Sequence, residues 1–189
     1  MDAEDGRLPE NEIRSQYEIA LRALGLYVVW CIALNYDDRK GYITWIEKNN
    51  FKNLFSENEI AFIYANPAPK QQIVNISWHC ERLLILLWCL DLIDDLPAAD
   101  TQCDTSVFLE FLPPLNGDYV VDFLSKVELR PADDLWILEE KTERQHWKAR
   151  NTKIIDEGID IGIVQERHHA INWVLKYDGR GWDDMVCDT

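Results

Sequence analysis

Between Lys70 and Leu92 the chain reads KQQIVNISWHCERLLILLWCLDL, with apolar residues on every side of a helical wheel rather than along one stripe. A helix that is apolar all round must be covered on most faces, so the spacing predicts one central, buried helix over about 70–92. Glu81 falls on the wheel among Val74, Ile85, Trp88 and Leu92. An unpaired charge in so apolar a place costs several kcal/mol, so this carboxylate either keeps a proton or finds a cation. Arg82, Arg144 and Arg167 are the candidate partners.

Other segments are helical too. Apolar positions recur at helical spacing over 11–36 and 42–49, and Ser56-Glu57-Asn58-Glu59 is a capping box opening a further helix. Asn66-Pro67-Ala68-Pro69 is a break, because neither proline can donate within a helix. Helical patterns return from Pro131 to about Ile155 and over 161–177, ending before Gly179 and Gly181. No alternating strand pattern intervenes. A chain of 189 residues suits one domain. The expectation is an all-α, single compact multi-helix domain over 10–189 behind a flexible leader at 1–9.

Charge narrows the partners. With 19 Lys and Arg against 34 Asp and Glu, the net charge is −15, and a field of that sign repels nucleic acid and anionic membrane surfaces. From Leu83 to Ser125 there is no Lys or Arg, while Asp91, Asp94, Asp95, Asp100, Asp104, Glu110, Asp118 and Asp122 form an acidic, loop-rich flank. A basic protein partner is the natural ligand of such a surface. The five cysteines include no C-x-x-C pair, and Cys31, Cys80 and Cys89 sit in apolar helical stretches, which points to a reducing compartment. Without an apolar leader, and with its longest apolar run confined to Leu83–Leu90, the chain is expected to be cytoplasmic.

The last thirty residues gather the chemistry. On the 161–177 helix His168 shares a face with Val164, Ile171 and Leu175, while His169 and Asn172 flank it. A structural network of Glu81, Arg144, Glu166, Arg167, His168, Asn172, Trp173, Trp182, Asp183 and Asp184 is expected to neutralise itself in the interior. Were the protein an enzyme, Glu81, Arg167, His168 and Asp183 would be its acid/base groups. No metal or cofactor is expected. Neighbours His168 and His169 diverge on a helix, and Asp91 with Asp95 is only a fragment of a cation site. Phosphate loops and nucleophile elbows are absent from the sequence.

Arg14-Ser15, Trp78 and Glu81 before Leu87-Trp88, His146-Trp147, Glu166-Arg167-His168-x-Ala170-x-Asn172-Trp173 and Trp182-Asp183-Asp184 together resemble the bacterial domain-of-unknown-function 4272 family. His79 stands where Arg is expected in that family's Trp-Arg-x-Glu pattern, and Arg82 is the available substitute. The resemblance implies a bacterial cytoplasmic protein and assigns no catalytic residue. Two functions are expected from the residues. One is a non-enzymatic acidic binding module, such as an immunity protein neutralising a basic toxin domain. The other is a small-molecule-binding protein or enzyme with a Glu/Arg/His/Asp cluster in an interior cleft.

Overall fold

The computed structural model describes residues 13–115, 119–151 and 158–188. The expected leader at 1–9, the end of the 131–155 segment and Asp118 lie outside them. Every regular element among the described residues is helical.

Helix α1 (Gln16–Leu34) begins at a capping box in which Glu18 N donates to Ser15 Oγ at 3.3 Å and Ser15 N donates to Glu18 Oε2 at 3.0 Å. It is the one helix among the described residues long and apolar enough to span a membrane, yet 72% of its apolar window is buried against other helices. It is packed as a core helix. Gly25 permits the closest approach along it, since a Cβ there would lie 2.3 Å from Leu54 O in the turn Phe51–Leu54. Helices α2 (Lys40–Lys48) and α3 (Glu57–Tyr64) follow, and the box at Ser56 is formed as its sequence predicts.

The expected 70–92 helix is two helices, α4 (Lys70–Ser77) and α5 (Cys80–Cys89). At Trp78-His79 the backbone tightens: Trp78 N bonds Asn75 O, His79 N bonds Ile76 O and Glu81 N bonds Trp78 O, all i to i−3. The two halves also differ in burial. α4 is amphipathic, burying Ile76 and exposing Gln71, Val74 and Asn75, whereas α5 is buried nearly all round. Averaging the wheel over both concealed the change.

After α6 (Phe108–Phe111), α7 (Val120–Lys126) and α8 (Ala132–Arg150), α9 (Ile161–Val174) starts from Asp160, whose Oδ1 accepts from Gly162 N and Ile163 N. It stops three residues short of the expected Tyr177, because Lys176 (φ 50°) and Asp178 (φ 52°) turn the chain back. Residues 180–188 then run as a strap. α5 lies between α1 and α9, and α8 covers the far side of α9. One core cluster joins α1, α5 and α9, and a second fills the space between α1, the α2–α3 segment and Ile76 of α4.

Candidate functional site

Helices α5 and α9 are joined by two adjacent ion pairs in antiparallel register, and these face opposite ways. Glu81 is fully buried; its Oε2 accepts from Arg167 Nε at 2.8 Å and its Oε1 from Cys103 N at 2.7 Å. Arg167 also donates from Nη1 to Pro97 O at 2.7 Å, tying the loop after α5 to α9. Glu81 therefore pairs with Arg167. Arg82 is taken elsewhere, and the expected network member Arg144 is exposed on α8, where its helical position turns it away from α5.

One residue on along α5 and one back along α9, Arg82 meets Glu166 through Nε, and through Nη2 at 3.2 Å, while its Nη1 donates to His169 Nε2 at 3.1 Å. Because that nitrogen accepts, the other carries the proton and bonds the Trp182 backbone. Trp182 is the hub of this side. Its ring lies 4.6 Å from the Arg22 guanidinium and 5.7 Å from that of Arg82, and it meets His169 and Trp173 edge-on at 4.8 and 5.2 Å. Arg22 in turn holds Glu59 through Nη2, at 2.7 Å to each carboxylate oxygen.

These groups border a cleft of about 740 Å³. His79, Arg82, His146, His169, Trp182 and Asp183 all contribute to its wall. His168 lies behind it, Nδ1 to Nδ1 at 3.0 Å from His146. All four imidazoles resist protonation. Burial and then the Arg82 charge hold His169 down to about 2, and burial followed by His146 takes His168 to about 4. His79 is pushed well below its ordinary 6.5 by burial, then by Arg82, His169 and Arg22, and His146 is lowered by burial and Arg150. Cys187 on the rim is no nucleophile, since burial raises its thiol to about 11.

The remaining expected residues divide. Asn172 donates to Val186 O at 3.2 Å and fixes the strap, while Trp173 carries Arg14 at 4.2 Å over its ring. Asp183 is exposed and accepts from Asn58 N at 3.0 Å, pinning the strap to the start of α3, and Asp184 is exposed beside it. The four proposed acid/base groups do not converge: Glu81 and Arg167 are sealed from the cleft that Asp183 borders. Asp91, Asp94, Asp95, Asp100, Asp104, Glu110 and Asp122 are all exposed. Asp91 and Asp95 are not one helical turn apart, because α5 ends at Cys89 and Asp91 has φ 55° and pairs with Arg130 at 2.9 Å.

Cys80, Cys103 and Glu81 offer ligand atoms within 4.8 Å of one another, the one such trio among the described residues. It does not fit a cation, since both Glu81 oxygens are engaged and the Arg167 guanidinium stands beside them. Sequence reasoning missed the Arg22–Glu59 pair, although Glu59 was already marked by its capping box.

The fold and site define an all-α protein whose paired central helices are bolted inside and leave a histidine- and arginine-lined cleft outside. The chain belongs to the family described as a domain of unknown function (DUF4272), whose model matches residues 7–185. That family is the one its motifs resemble. No curated protein and no solved structure matches this chain.

Proposed function

We propose that this is a cytoplasmic small-molecule-binding protein whose site is the cleft between α3, α5, α8, α9 and the strap. The observation that carries this reading is the convergence of three neutral imidazoles, Arg82 and Trp182 on one concavity of about 740 Å³, within the range of metabolite sites. Binding rather than turnover is favoured, because among the described residues the cleft wall offers only Cys187 as a thiol, raised to about 11 by burial, and the Glu81–Arg167 pair is spent on structure. A thermal-shift screen of polar metabolites tests it. Ligands at a hundred times Kd add about 2.7 kcal/mol of stability, a readily measured rise in Tm. A hit should be lost in His169→Gln; a panel without any hit removes the reading.

A second reading is an immunity-like module that captures a basic toxin domain on the acidic flank. Leu109, Tyr119 and Val121 are 71%, 55% and 73% exposed beside Glu110 and Asp122, and apolar residues set in charge suit a protein interface. Affinity for such a domain would fall steeply with salt and with Asp122→Lys. Salt-insensitive binding would sink it.

A further inference from the structure

Two donor side chains on the cleft wall are not filled by the protein. Arg82 engages Glu166 through Nε and Nη2 and His169 through Nη1, which leaves one N–H on each terminal nitrogen without a protein partner among the described residues. His79, on the same wall, makes no hydrogen bond there: its Nδ1 is sealed without a partner, so Nε2 is the nitrogen that can meet a ligand. The unfilled donors on the cleft wall, one N–H on each Arg82 terminal nitrogen and the Nε2–H of His79, call for a ligand that supplies oxygens.

The acidic groups nearby do not fill that role. Glu59 is committed to Arg22 and to Ser56 N, and Glu166 to Arg82. Asp183 and Asp188 are exposed at the mouth, with Asp183 bonded to Asn58 N. After burial, the charges of Arg82 and Arg22 are what lower His79 and His169.

The geometry points to an anion-binding subsite on the cleft floor, in which Arg82 and His79 hold the carboxylate or phosphate group of a small metabolite. The guanidinium gives two charge-assisted N–H bonds and the imidazole one neutral bond from Nε2–H. Space beyond the anion is bordered by Gln72 and Gln165, whose amides suit a polar remainder. This assignment rests on the cleft being the functional site.

The test titrates the full-length protein with inorganic phosphate and, separately, succinate at constant ionic strength, following Trp fluorescence and calorimetric heat. Spermidine and adenosine serve as the cationic and neutral probes. Saturable binding of either anion is expected, weakened at least about tenfold in Arg82→Met and in His79→Phe, each first shown to be folded by its melting curve. Arg82→Lys, which keeps the charge opposite Glu166, distinguishes loss of the fork from loss of folding and should weaken binding as well. Preference for phosphate or for succinate separates the two sources. If only spermidine or adenosine binds, and His79→Phe abolishes that binding, the anion assignment is overturned while the cleft remains a ligand site. If no probe binds, both fall. Anion binding that ignores all three variants also overturns the assignment.

Discussion

Glu81–Arg167 and Arg82–Glu166 are built from neighbouring residues on the same two helices, yet one pair is structure and the other borders a site. Successive residues on a helix point roughly 100° apart, so a step of one position moves a charge from the α5–α9 seam to the cleft wall. Inside, every Glu81 oxygen has a partner and the remaining Arg167 bonds run to main-chain oxygens, which leaves nothing for a ligand. Outside, the pair is closed towards Glu166 and open towards the cavity. Unfilled bonding capacity, more than the mere presence of charged groups, separates a binding wall from a bolt.

The largest test of this contrast is Arg167→Met, which strands a buried carboxylate and should cost about 3–5 kcal/mol in chemical denaturation. Pairing it with Glu81→Leu should recover a good part of that loss; no recovery would mean that the pair does more than neutralise itself. Acid comes next. His168 and His169 are held to about 4 and about 2 in the fold, against 6.5 ordinarily, so below pH 6.5 the unfolded chain takes up protons that the folded one refuses. Stability from these groups is intact above pH 6.5 and is lost as pH falls towards the folded values. On the order of 5 kcal/mol should disappear by about pH 4.5. His168→Asn should flatten the slope, and a stability curve level across that range would show the imidazoles to be freely solvated.

Arg82→Met should be milder, about 1–2 kcal/mol of stability, because its Glu166 partner can turn to solvent; its chief effect should fall on ligand binding. A loss as large as that of Arg167→Met would erase the distinction between the two pairs. Smallest of all, Asp94→Asn with Asp95→Asn should leave Tm unchanged, as both side chains are exposed.

Much of this was legible in the sequence where the physics is local. Ser56 and Glu59 announce α3 within four residues, and the prolines at 67 and 69 mark its end. The same kind of box at Ser15–Glu18 sets the start of α1, whereas apolar spacing alone places that start near Asn11. That Glu81 needed a cation followed from its apolar neighbours; which cation depended on how two helices 86 positions apart in sequence lie together. The turn at Trp78-His79 had no proline or glycine to signal it, and Arg144, a plausible partner by type, stands on an outer helix face.

Arg14 has a consequence for how the chain is made. Its backbone N bonds Val174 O at 2.9 Å, its Nε bonds Trp173 O at 2.9 Å and its Nη2 bonds Arg180 O at 3.1 Å. The residue just before the first core helix is thus stitched to the end of the last, a closure that cannot form until nearly the entire polypeptide has left the ribosome. The apolar helix α1 can pack on α4 and α5 while the chain is half made, and the end-to-end stitch at Arg14 is the step left for last.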